Sequence, residues 1–156
     1  MTQTSTTDGS VSLRIALFPG SFRPFTAGHA DILARGLDLF DRIIIGVGVT
    51  AAKSPADTEA SLEPIRRLYA AEPRVEVRAY SCLTVDFAAQ CGARFLLRGV
   101  RNVRDFEYER DLADINRQLS GIESVILFSS PVLSAVSSSV VRELQSYGHD
   151  VTPFLP

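Results

Sequence analysis

Apolar residues recur along this chain in short unbroken runs. "RIALF" (Arg14 to Phe18), "RIIIGVGV" (Arg42 to Val49), "VEVRAY" (Val75 to Tyr80), "RFLLRG" (Arg94 to Gly99) and "SVILFS" (Ser124 to Ser129) are each of strand length and rich in aliphatic residues. Most are too continuously apolar for a sheet with one wet face, so the pattern predicts strands covered on both sides. Between them, helical patterning predicts helices over about Gly28 to Phe40, Glu59 to Ala71, Thr84 to Cys91, Val103 to Leu119 and Ser137 to Tyr147. Pro64 falls inside the second of these, where a kink or a late start is expected. Strands linked by helices imply parallel crossovers, hence an α/β fold: a single Rossmann-like, doubly wound domain with a five-stranded parallel sheet. Ligands of such sheets lie beyond the carboxyl ends of the strands, in the segments that follow each one.

Composition narrows the class. At 156 residues, one domain with a real core is expected, with residues 1–12 as a flexible polar tail and 13–156 as the folded unit. A net charge of −2 with 22% charged and 46% hydrophobic residues excludes a polyelectrolyte partner of nucleic acid. No apolar run approaches the ~18 residues that span a bilayer, and "MTQTSTTDGS" has neither the basic start nor the apolar middle of a signal peptide. Cys82 and Cys91 fit no zinc or redox spacing and read as reduced residues in or near the core, which suits a cytoplasmic protein.

Three segments at the expected binding edge carry candidate chemistry. In "FPGSFRPFTAGH", Gly20 and Ser21 let the backbone approach a ligand, Thr26 is a candidate N-cap, and His29 falls in the first helical turn. Backbone N–H groups and an imidazole directed at one point make a phosphate site; a capped helix after a tight turn is the plainer alternative. In "LLRGVRNVRDFEYERDLADINRQL", Arg98, Arg101 and Arg104 leave the fourth strand within seven residues. Guanidinium groups suit phosphate, although Arg101 is also placed to pair with Asp105 at i, i+4 on an exposed helix. In "SSPVLSAVSSSVVREL", Ser137 or Ser138 is placed to cap the last helix, presenting a second helix N-terminus at the same edge. Lys53 follows the second strand and is either an ordinary loop lysine or a charge for a phosphoryl centre. No cluster has metal-ligand spacing, so Mg²⁺ is expected only on nucleotide phosphates.

"TAGH" matches the T/H-x-G-H signature of the nucleotidylyltransferase superfamily. With "CLTVDFA", "RGVRNVRDFEYE", "ADINRQL" and "VSSSVVREL", the chain from about Arg14 to Pro156 resembles the bacterial phosphopantetheine adenylyltransferases. The resemblance implies transfer of AMP from ATP, with Mg²⁺, to 4′-phosphopantetheine, giving dephospho-coenzyme A and pyrophosphate by direct in-line attack. It implies catalytic roles for His29 and Lys53, and an ATP pocket built from Gly20, Phe22, Gly28, His29, Arg101, Glu109, Ser137, Ser138 and Ser139. Ser21, Lys53, Leu83, Thr84 and Arg98 would hold the acceptor. Dephospho-coenzyme A or coenzyme A would bind as product or inhibitor, and the protein would be a homo-oligomer, a hexamer in most of the family. "TAGH" alone leaves open another phosphorylated acceptor, or a nucleotide or coenzyme A binder with weakened catalysis. Arg23 stands where the family typically has Asp, a reversal of charge expected to loosen its loop.

Overall fold

The computed structural model describes residues 11–156, so the first ten residues of the expected tail lie outside it. Five strands, β1 (Ile15–Gly20), β2 (Arg42–Gly48), β3 (Val75–Tyr80), β4 (Phe95–Val100) and β5 (Glu123–Phe128), form one parallel sheet in the order β3-β2-β1-β4-β5. Five helices connect or follow them: α1 (Ala27–Gly36), α2 (Pro55–Leu68), α3 (Thr84–Gln90), α4 (Val103–Ser120) and α5 (Ser138–Ser146). No helix among the described residues is long and apolar enough to cross a membrane.

The unbroken apolar runs have the expected cause. Ala16, Phe18, Ile43, Ile45 and Leu97 point to one face, where Ile32 and Leu33 of α1 and Leu62 and Ile65 of α2 cover them. Leu17, Ile44 and Leu96 point to the other and meet Val85, Phe87 and Ala88 of α3 and Ile122. Alternate residues thus enter two separate cores, so a central strand must be apolar at every position.

Two helices differ from their predicted spans. α1 ends at Gly36, and a turn in which the Phe40 N–H bonds the Gly36 carbonyl at 2.9 Å brings Phe40 into the core without further helix. α2 begins four residues earlier than expected, because Ser54 caps the Asp57 N–H at 3.1 Å and Pro55 occupies the first turn, where its missing N–H costs nothing. Pro64 neither delays nor ends that helix. It lies on the exposed face, as does Ala60, whose carbonyl loses its helical partner and meets water instead. Cys82 is exposed at the binding edge rather than near the core, and Cys91 is partly buried; both are free thiols.

Candidate active site

The chain order places the switch point of the sheet between β1 and β4, because the chain adds β2 and β3 on one side of β1 and then crosses through α3 to add β4 and β5 on the other. The two strands pair only through Ala16 with Phe95 and Leu17 with Leu96, whereas β1 and β2 remain paired out to Gly20 and Val47. β1 and β4 therefore part toward their carboxyl ends, and Pro19, which has no N–H to offer a ladder, sits where they part. Arg98 spans the gap: its Nη1 donates to the Pro19 carbonyl at 2.6 Å. Its Nε and Nη2 donate to the two oxygens of Glu109 on α4, at 2.8 and 2.7 Å. Glu109 is 7% exposed, and this bidentate pairing is what makes its burial tolerable.

α1 supplies the histidine. Thr26 is its N-cap, and the two residues cap each other: the Thr26 N–H donates to His29 Nδ1 at 2.9 Å, and the His29 N–H donates to Thr26 Oγ1 at 3.4 Å. Because Nδ1 accepts a hydrogen bond, the ring proton belongs on Nε2, which has no partner among the described residues. The ring packs against Phe18, Phe22 and Phe25, with centroids 6.3, 5.0 and 5.3 Å away. That burial, followed by the positive charges of Arg98 and Arg101, pushes the imidazole down to about 4. His29 is consequently a neutral N–H donor at pH 7, held in one orientation.

Phe22 was expected to shape a nucleotide pocket directly; it also supports the histidine from behind. It is buried, meets His29 edge-on at 88°, and has a left-handed backbone with φ of 46°. Its ring leaves no room for a side chain at Gly20, where a Cβ would lie 2.8 Å from the ring. A left-handed non-glycine residue stores strain of about 1 kcal/mol or more, here held in place by the surrounding aromatic packing.

α5 closes the opposite wall. Ser137 is its N-cap and accepts from the Val140 N–H at 3.2 Å, while the Ser138 hydroxyl donates to the Pro24 carbonyl at 2.8 Å. Arg142 donates to the Arg23 carbonyl at 2.5 Å, and Ser139 Oγ accepts from its other arm at 3.3 Å. The loop expected to be loosened by Arg23 is thus tied at two successive carbonyls. Nothing in the sequence marked Arg142, which reads as an ordinary residue of an amphipathic helix.

These elements enclose a cavity of about 390 Å³. All the residues expected around the nucleotide, Gly20, Phe22, Gly28, His29, Arg101, Glu109 and Ser137 to Ser139, line it, joined by Ser21 and Arg98. Asp105 and Tyr108 line it as well; Asp105 was expected only as the partner of Arg101, and Tyr108 was not singled out beforehand. Arg101 takes both places offered to it, bonding Asp105 Oδ2 through its Nε at 3.0 Å while facing the cavity. Arg104 has no place in the lining.

The residues expected around the acceptor divide between two neighbouring cavities. Leu83, Thr84, Ser21 and Arg98 line one of about 320 Å³ that runs toward Leu112, Ala113 and Asn116 of α4. Lys53 lies in another, of about 340 Å³, with Ser21, Arg23 and Thr84. Its ammonium donates to Ser61 of α2 at 2.5 Å, and it does not line the cavity that holds His29. Ser21 is common to all three.

A neutral histidine in the first turn of a helix, a second helix N-terminus and the arginines at a parted switch point thus line one cavity. The chain belongs to the cytidylyltransferase-like family, whose family model matches residues 17–144. Within it the chain falls among the phosphopantetheine adenylyltransferases. It is 51% identical over 145 residues to the phosphopantetheine adenylyltransferase of Phocaeicola vulgatus, covering 92% of this chain and 96% of that one. Identity is 53% over 143 residues with that of Porphyromonas gingivalis, at 91% and 94% coverage. With that of Leuconostoc citreum it is 44% over 146 residues, at 92% of each chain. The fold also superposes, at a TM-score of 0.64 and 11% identity, on a bifunctional NMN adenylyltransferase/ADP ribose pyrophosphatase from Francisella tularensis, over 92% of this chain and 44% of that one.

Proposed function

We propose that this chain transfers AMP from ATP to 4′-phosphopantetheine, giving dephospho-coenzyme A and pyrophosphate, a step of coenzyme A synthesis. The observation that carries the reading is the convergence of the free Nε2–H of His29 and the N-terminus of α5 on one cavity at the switch point. A phosphate oxygen of the acceptor attacks the α-phosphorus, the bond to the β-phosphate breaks, and pyrophosphate departs in line with the attack. His29 donates to an α-phosphoryl oxygen as charge grows there, and it does so without first gaining a proton. The first N–H groups of α5 and the hydroxyl of Ser139 hold the β- and γ-phosphates, while the Ser138 hydroxyl stays on the Pro24 carbonyl. Among the described residues no side chain is placed as an activated nucleophile, which suits positioning and electrostatic stabilisation without a covalent intermediate.

The donor set does not make a protein-held metal site. Glu109 is taken by Arg98 and Asp105 by Arg101, and no group of three His, Cys, Asp or Glu suited to a metal ion occurs among the described residues. Mg²⁺ accordingly enters as part of the MgATP substrate. Phe106, Ile115, Leu119 and Phe128 are exposed on α4 and on the unpaired edge strand β5, which supports burial against further copies in a homo-oligomer, to be read by analytical ultracentrifugation.

The test is pyrophosphate release from MgATP. Release with 4′-phosphopantetheine and none with pantetheine is expected; equal release with both, or faster release with a different phosphorylated acceptor, would overturn the reading.

A further inference from the structure

The cavity that holds Lys53 has a lining of unusual charge. It contains two cations, Arg23 and Lys53, the hydroxyls of Ser21, Thr50, Ser81 and Thr84, and no carboxylate. Two like charges in one concavity without a counter-ion raise its potential and select for a multiply charged anion. The arginine is also unspent. Its guanidinium makes no hydrogen bond or ion pair with any described residue, and only its backbone carbonyl is engaged, by Arg142.

Arg98, the residue expected to grip the acceptor's phosphate, stands in contrast. Three of its guanidinium's five N–H groups are already taken, two by Glu109 and one by the Pro19 carbonyl. It cannot offer a phosphate its Nε and Nη2 edge without leaving a buried carboxylate unpaired. Of the three arginines that line these cavities, Arg23, Arg98 and Arg101, only Arg23 has a guanidinium with no partner among the described residues.

We propose that Arg23, together with Lys53, binds the phosphate monoester dianion of the acceptor, and that Arg23 sets the preference for a phosphorylated acceptor over an unphosphorylated one. The inference rests on the reading that the nucleotide occupies the cavity of His29. Two positive charges match the two negative charges of the dianion, and Arg23 supplies the planar fork that an ammonium lacks. Ser21 lines both this cavity and the one that carries His29 and the N-terminus of α5, so an acceptor phosphate held here adjoins the nucleotide. The loop carrying Arg23 is fastened to α5 through the Arg23 and Pro24 carbonyls, so the acceptor's anchor is fixed relative to the nucleotide's.

The experiment uses the full chain and its Arg23→Ala and Arg23→Lys variants, which leave both backbone anchors in place. Pyrophosphate release gives the KM for each substrate, and calorimetry gives the affinity for 4′-phosphopantetheine and for pantetheine without turnover. Arg23→Ala is expected to raise the KM for 4′-phosphopantetheine at least tenfold and leave that for ATP within about twofold, with the lysine variant between. Calorimetry is expected to show the advantage of the phosphorylated compound over pantetheine shrinking by the same factor. A rise confined to the KM for ATP would make Arg23 a nucleotide ligand, and unchanged constants would make it a solvated side chain; either result overturns the proposal. If the unaltered chain releases no pyrophosphate, the proposed function fails, while calorimetry still decides whether Arg23 reads the acceptor's phosphate.

Discussion

Replacing Glu109 by Gln isolates the ion pair on which the parted strands depend. The carboxylate gives one oxygen to Arg98 Nε at 2.8 Å and the other to Nη2 at 2.7 Å. The amide keeps a single neutral acceptor and turns an NH₂ group toward a guanidinium N–H. One charge-assisted hydrogen bond, worth about 1.5–3 kcal/mol, is lost, and the other loses about half its strength. Arg98 is left without a counter-ion, which would bring the total toward the ~3–5 kcal/mol typical of a broken buried pair. The side chain of Arg98 retains 26% exposure, so water recovers part of this, and a loss of about 3 kcal/mol is expected. Urea unfolding followed by circular dichroism should show it as a lower midpoint with an unchanged slope, and in a chain of this size Tm should fall by about 6–12 °C. The double variant Arg98→Met, Glu109→Leu should recover most of the loss, because removing both charges leaves neither stranded. A single variant within about 1 kcal/mol of the parent, or a double variant no more stable than the single one, would refute the pair as the anchor of this cleft.

Three further expectations concern the helix N-terminus. His29 titrates at about 4 in the folded chain and near 6.5 when unfolded, so only the unfolded chain takes up the proton between those values. Stability is therefore full above pH 6.5 and falls as the pH drops to about 4, by up to about 3 kcal/mol, and His29→Asn should abolish that part of the dependence in urea titrations at pH 7.5 and 4.5. Identical pH slopes in parent and variant would place the burden on other groups. His29→Ala should lower kcat by about 10²–10³ and leave ATP affinity within a few fold, since the contact strengthens only in the transition state; a loss of affinity alone would make His29 a ground-state ligand. At Gly28 a Cβ would lie 3.5 Å from Thr26 Oγ1 and 3.8 Å from the Val136 carbonyl, ordinary contacts, so Gly28→Ala should raise Tm slightly while weakening ATP binding tenfold or more. Undiminished nucleotide affinity by calorimetry would show that no ligand approaches there.

The strands and the capped histidine were legible because their causes are local. A central strand covered on both faces is written as an unbroken apolar run, and "TAGH" carries its cap and its histidine three residues apart. The start of α2 was also written locally, as Ser54, Pro55 and Asp57, but Pro64 outweighed it in the pattern although an exposed proline needs only water for the carbonyl it frees. Other features had no local signature. The pairing of Arg98 with Glu109 depends on how α4 is rotated against β4, and the fastening of the Arg23 loop depends on Arg142 reaching across 119 positions of sequence. The distribution of Lys53 and Leu83 over separate cavities follows from loop paths that residue types do not encode.

The short seam between β1 and β4 gives the sheet the mechanics of an open book. β3, β2 and β1 form one cover, β4 and β5 the other, and the spine is the pairing of Ala16 and Leu17 with Phe95 and Leu96 near the amino ends. Ser21 and Lys53 follow strands of the first cover, whereas Arg98 and the residues of α4 belong to the second. A ligand that touches both covers opposes their spreading, and the turning moment it exerts grows with its distance from the spine. The reacting groups sit at the free edges, where a small rotation at buried, close-packed residues becomes the largest displacement the sheet can make. Filling the cleft should therefore stiffen the whole sheet, detectable as slower amide exchange at Ala16 and Leu17, which line none of the three cavities.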